Sequence, residues 1–243
     1  MRMLTFAKRN AKEILRDPLT LIFGLGFPIV LMLLLSAIQA SIPVPLFEIE
    51  HLTPGISVFG LSFLTLFSAT LISKDRGSAL LQRLYTTPMT STDFILGYTL
   101  PILPIAVGQG IVCYAVALIL GLTPSVNILY AIAMLLPISL FFIALGLLFG
   151  SLLNDKQVGG ICGALLTNLS AWLSGTWFDL ELVGGLFKRV AYALPFVHAV
   201  ELERALLSGR FEDVLESLLW VLGYAAVALV AAVLCFLYRM KKQ

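Results

Sequence analysis

Charge is what this chain has least of. Of its 243 residues, 12% are Asp, Glu, Lys or Arg and 59% are hydrophobic, against about 25% charged in ordinary globular domains. That deficit excludes a soluble fold. Histidine is scarce too. His51 and His198 both fall in stretches expected outside the membrane, neither has a ligand set nearby, and both are expected to be surface residues. The three cysteines, Cys113, Cys162 and Cys235, are odd in number and too widely spaced for a metal motif. Each lies in an apolar run, where it serves packing. No zinc-peptidase helix, Gly-x-Ser-x-Gly turn or phosphate-binding glycine loop occurs. No catalytic residue and no metal site is therefore expected, and no nucleic-acid partner.

What is present is long apolar runs. A bilayer core about 30 Å thick needs roughly 20 apolar residues of helix, and six runs qualify: Leu19–Ala40, Pro54–Ser73, Phe94–Leu120, Val126–Leu152, Val158–Phe178 and Ser217–Tyr238. They are continuous rather than alternating with period two, so they are helices and not barrel strands. The expected fold is all-α and polytopic: one membrane domain over 1–243 with six transmembrane helices. The first run is too long for the core of a cleaved signal peptide. Apart from Asp93 at one edge, no Lys, Arg, Asp or Glu lies inside these runs. Proton relays need such groups, so energy for uphill movement would enter from another chain. Sodium coupling through carbonyls and hydroxyls stays open.

Twelve of the sixteen Lys and Arg residues fall on one side of this topology. The positive-inside rule makes that side cytoplasmic, with both termini in it, in the inner or plasma membrane. Residues 1–18 carry Leu4, Ala7, Ala11, Ile14 and Leu15 on a helical stripe, with Lys8, Arg9, Lys12, Glu13 and Arg16 around the rest. This pattern predicts an amphipathic helix lying in the interface, ended by Asp17-Pro18. Pro101 and Pro104 predict a start or a kink in the third span. In the fifth, Gly159, Gly163, Thr167, Ala171 and Gly175 recur every fourth residue beside Gly160, Ala164 and Asn168. Small residues so spaced let helices approach closely, within one subunit or between two. The loop 179–216 has two short amphipathic segments split by Pro195, the second with a polar face of His198, Glu201 and Arg204. These are expected to be interfacial or re-entrant helices on the outer side.

The remaining polar connection, 74–93, is basic and cytoplasmic. Ala79, Leu80, Leu81 and Leu84 can face apolar neighbours while Arg76, Gln82 and Arg83 face water. Thr87-Pro88 stops the helix and Thr90-Ser91-Thr92-Asp93 offers an N-cap to the next. The stretch Asp75-Arg76-Gly77-Ser78, Leu80, Leu81, Leu84, Thr87-Pro88-Met89-Thr90 resembles the corresponding stretch of ABC (ATP-binding-cassette) type-2 transporter permeases. So do Leu145-Gly146 through Gly150-Ser151 to Ser174-Gly175-Thr176-Trp177-Phe178, and Leu194-Pro195-Phe196 to Glu203-Arg204 and Gly209. The order matches along essentially the whole chain. Ser78 stands where the family more often has Thr, and Ser73-Lys74-Asp75 where it is often more acidic.

The resemblance implies the transmembrane subunit of an exporter. It pairs with a second permease copy, the same chain or a close paralogue, and with ABC ATPase subunits that bind ATP and Mg; this chain itself holds no cofactor. It implies a coupling helix in which Asp75, Arg76, Gly77, Leu80, Leu81, Arg83, Leu84, Thr87 and Pro88 meet the ATPase. It also implies a conduit near Gln39, Ser57, Thr65, Ser68, Thr167 and Asn168, for a drug, a lipid-like amphiphile or a polysaccharide. The competing readings are a stand-alone secondary transporter or channel, and a non-transporting immunity or assembly subunit.

Overall fold

The computed structural model describes residues 2–44, 47–78 and 90–240, and among them every regular element is helical. Five helices are long and apolar enough to cross a membrane: Ile22–Ser41, Ile49–Gly77, Thr92–Ile119, Asn127–Leu152 and Phe211–Tyr238. They correspond to the first, second, third, fourth and last expected spans. The expected fifth is covered by a helical run of three pieces, Asp155–Val158, the π-helical Gly159–Leu166 and Thr167–Leu173. Asp155-Lys156-Gln157 at its start and Thr167, Asn168 and Ser170 within it dilute its hydropathy, and the chain turns after Leu173.

The second span is the central post. Of its most apolar stretch 83% is buried, against 17% for the first span and 22% for the last, so those two present most of their surface outward. The fourth span lies closest to the post. Thr65 Oγ1 donates to the carbonyl of Phe142 at 2.9 Å. A Cβ on Gly146 would stand 2.5 Å from that of Ser68 and 2.7 Å from the Thr65 carbonyl oxygen. Without hydrophobic drive in lipid, small residues that let backbones touch supply the packing. The third span is broken as its prolines predict, into Ser91–Thr99 and Leu103–Ile119. Its start carries the predicted cap: Asp93 N–H donates to Thr90 Oγ1 at 3.3 Å and Thr90 N–H to Asp93 Oδ2 at 3.0 Å.

Both termini lie at one end of the helices, here the terminal end: Phe6 of the N-terminal helix meets Phe94 at 5.7 Å between ring centroids, and Phe94 meets Phe236 of the last span at 5.2 Å. At the opposite end the 179–216 loop folds into Leu180–Val183, Gly185–Tyr192 and Pro195–Leu207. The last of these is not an exposed amphipath. Ten of its residues are buried, and it packs on the second, fourth and last spans. His198 accordingly departs from its expected surface position: it is 6% exposed and stacks on Trp220 at 4.7 Å. An imidazole with one face on an indole and Nε2 against the Tyr192 carbonyl at 3.0 Å meets its polar needs inside the fold.

Candidate functional site

The N-terminal helix, Arg2–Leu15, has two apolar edges. Phe6, Ala7 and Ile14 are buried with Asn10 between them, while Leu4 and Leu15 of the expected stripe point outward. Phe6 enters the third span where Gly97 has no side chain; a Cβ there would strike the Phe6 ring. The ring sits edge-on to Phe94 and to Tyr98, the latter at 5.0 Å. Asn10 Nδ2 donates to the Gly97 carbonyl at 3.0 Å, so this fully buried polar side chain is satisfied by the helix's docking partner.

Beside this contact lies a buried carboxylate. Asp75, 2% exposed, receives Arg9 Nη1 at 2.6 Å and the Tyr98 hydroxyl at 3.0 Å, both on Oδ2. Arg9 also donates from Nη1 to Asn10 Oδ1 at 2.8 Å and from Nη2 to Glu13 at 2.6 Å. Burial works against the charge on Arg9, but the hydrogen bond and charge of Asp75 outweigh it, and the guanidinium is held above its ordinary value. The neighbouring Arg76 turns the other way and donates to the carbonyls of Ser151 and Leu153. A cation there satisfies orphan carbonyls at the end of the fourth span and opposes the negative end of its dipole. One turn earlier, Ser73 Oγ reaches Asp155 at 3.2 Å. Within three residues the second span is thus tied to the N-terminal helix, the third span, the fourth span and the start of the fifth helical run.

Asp75, Arg76 and Gly77 belong to the last turn of the second span itself, which ends at Gly77 with Ser78 extended, rather than to a separate helix beginning at Asp75. Leu80, Leu81, Arg83, Leu84, Thr87 and Pro88 lie outside the described residues. Of the six expected conduit residues, Ser57, Thr65, Ser68 and Thr167 are buried between helices of one subunit. Ser68 and Thr167 donate back to their own helices, to Leu64 at 2.6 Å and Cys162 at 2.9 Å. Gln39 closes a turn, donating to Val44 and accepting from the Phe47 N–H. Asn168 alone is exposed, on one face with Gly160 and Ala164, and its Nδ2 donates to the Ala164 carbonyl at 2.8 Å.

The opposite end holds a second buried carboxyl, Glu203, quoted in the sequence only as part of the Glu203-Arg204 resemblance and given no role there. Glu203 is fully buried, accepts the Tyr114 hydroxyl at 2.7 Å on Oε2, and has no partner for Oε1 among the described residues. Burial pushes its pKa up to about 8, with the Tyr114 hydrogen bond pulling modestly the other way. Next to it Arg204 donates to the Gly175 carbonyl at 2.9 Å, and burial lowers its pKa to about 10. Nothing here combines a nucleophile with a base, and among the described residues no His, Cys, Asp and Glu cluster is arranged to hold a metal.

A family model described as ABC-2 type transporter matches residues 1–207, from the N-terminal helix through Pro195–Leu207. The chain belongs to the ABC-2 type transporter family. A comparison with curated proteins found no match. The family makes the chain a transporter permease of the membrane, not itself a catalyst, and the matched residues contain both buried carboxyls and the ties made by Ser73, Asp75 and Arg76. The signal that singled out Asp75 in the sequence was its place in the quoted Asp-Arg-Gly-Ser stretch. Arg9, Asn10 and Tyr98 carried no comparable mark.

Proposed function

We propose that this permease is the membrane subunit of an ABC exporter, working as a pair of permease copies driven by separate cytoplasmic ATPase subunits that bind ATP and Mg. The terminal end is the cytoplasmic one, in keeping with its Lys and Arg excess. The observation that carries the reading is the junction at Asp75 and Arg76. The segment 79–89 is bracketed by Ser78 and Thr90, and its two flanks are joined to each other through Asp75 and Tyr98. They are joined to the N-terminal helix through Arg9 and to the fourth span through Arg76. A push on that segment would reach four helices at once, as a coupling element requires. The substrate is an amphiphile, drug or polysaccharide passing between two copies. The exposed face of Gly160, Ala164 and Asn168 suits the inter-copy side, because small residues there leave room for a second helix or a cargo.

The test is co-purification with the candidate ATPase and measurement of substrate-dependent ATP hydrolysis. Arg83→Glu is expected to weaken ATPase binding with unfolding temperature unchanged. Arg76→Glu, by contrast, is expected to lower the unfolding temperature because it uncaps the fourth span. Undiminished ATPase binding and transport in Arg83→Glu and Leu84→Asp variants would remove the coupling role of this segment.

A further inference from the structure

Between the end of the N-terminal helix, the start of the first span and the last turns of the second span lies an open cleft of about 410 Å³, within the roughly 300–1,000 Å³ of small-molecule sites. Its wall is apolar, formed by Ile14, Phe67 and Leu71, and its rim carries Arg16, Lys74, Glu13 and Asp17. The four charges are not equivalent. Glu13 is held by Arg9 at 2.6 Å. Asp17 directly precedes the helix that begins at Pro18, where a carboxylate suits the positive helix start. Arg16 and Lys74 are exposed and form no ion pair among the described residues. Both acids have a protein role and both cations are unclaimed, so the rim presents positive charge above an apolar floor. Leu4 and Leu15, exposed on the N-terminal helix, put this helix at the depth where headgroups meet acyl chains.

We propose that the cleft is a binding site for one acidic phospholipid of the cytoplasmic leaflet, its phosphate between Arg16 and Lys74 and the top of an acyl chain against Ile14, Phe67 and Leu71. The lipid is a resident ligand that braces the N-terminal helix against the second span, and it is distinct from the cargo. The assignment of leaflet rests on the proposed cytoplasmic orientation; the site itself does not.

Native mass spectrometry of the full-length permease, released from discs of mixed phosphatidylglycerol and phosphatidylcholine with matched chains, tests this. The wild type is expected to keep one phosphatidylglycerol per chain. Arg16→Gln/Lys74→Gln is expected to lose roughly 30-fold in affinity, each cation near an anionic headgroup being worth about five-fold. Thr70→Trp, which fills the cleft and keeps both cations, is expected to lose the lipid as well. Lys188→Gln/Arg189→Gln, at the opposite end, is expected to retain it. The proposal falls if the cleft variants hold phosphatidylglycerol like the wild type, or if the Lys188/Arg189 variant loses as much. It also falls if phosphatidylcholine is kept equally, or if millimolar inorganic phosphate displaces the lipid. Labelling of a Met3→Cys variant by a membrane-impermeant thiol reagent reads orientation separately. Labelling from outside intact cells would overturn the cytoplasmic assignment while leaving the retention result to judge the cleft.

Discussion

The two ends of this permease each bury a carboxyl group, and they solve the cost of doing so differently. At the terminal end Asp75 has a guanidinium and a phenol on the same oxygen, so its charge is met locally by Arg9 of the N-terminal helix. At the opposite end Glu203 has, among the described residues, only the phenol of Tyr114 and no bonded cation, and burial drives its pKa up to about 8. One carboxyl is kept as half of an ion pair that fastens separate elements; the other is pushed by burial towards its neutral form inside a packed helix junction. A charged pair lends itself to a joint that must hold against a push, because separating it exposes two uncompensated charges. A carboxyl that burial pushes towards its neutral form in a packed junction acts as a packing group.

That contrast is best attacked from its strong side. Asp75→Ala should be the most damaging single change, because it removes the carboxylate that accepts from both Arg9 and Tyr98. Breaking one partner of a buried pair costs about 3–5 kcal/mol; Arg9 is 38% exposed, and water screening lowers the expected loss to about 2 kcal/mol. It would be read as a fall in unfolding temperature in detergent, with Asp75→Asn nearly as severe. Gly97→Val, which drives a side chain into Phe6, should cost roughly 1–3 kcal/mol by overpacking and make the N-terminal helix more susceptible to limited proteolysis. Glu203→Gln should be the mildest, under about 1 kcal/mol near pH 6, because an amide replaces a carboxyl that is already neutral. Should Asp75→Asn prove as mild as Glu203→Gln, the distinction between the two ends is lost.

The pH dependence sharpens the same comparison. The pKa of Glu203 is raised from 4.5 to about 8 on folding, so between those values the unfolded chain has lost a proton that the folded one keeps. Stability from this group is greatest below pH 4.5 and declines as pH rises towards 8, above which no further loss comes from it. Unfolding temperatures of the wild type should therefore fall relative to those of Glu203→Gln across that interval and run parallel to them at higher pH. A constant difference from pH 5 to pH 8 would mean that Glu203 is ionised in the folded protein.

Much of the frame was legible along the chain. Continuous apolar runs marked the spans because lipid tolerates little else, and Thr90 with Asp93 marked the start of the third because a cap is a four-residue affair. Pro101 and Pro104 announced the break in that span, since a missing N–H acts where it stands. The buried joints were not legible. Arg9 and Asp75 are 66 residues apart and Tyr114 and Glu203 are 89 apart, and nothing local distinguishes Arg9 from Lys8 or Arg16. His198 looked like a surface residue for the same reason, its partner Trp220 lying in the next helix.

By itself, then, the sequence determined that this protein is a helical membrane protein, where its spans run and which connection is basic, because each of these follows from composition over a few turns. Only the tertiary structure decided which charges are spent on one another. It paired Arg9 with Asp75, set Arg76 over the end of the fourth span, isolated Glu203 with Tyr114, and left Arg16 and Lys74 facing an open cleft. Those outcomes depend on distances between helices, which are set by how small residues such as Gly97 and Gly146 let the helices meet.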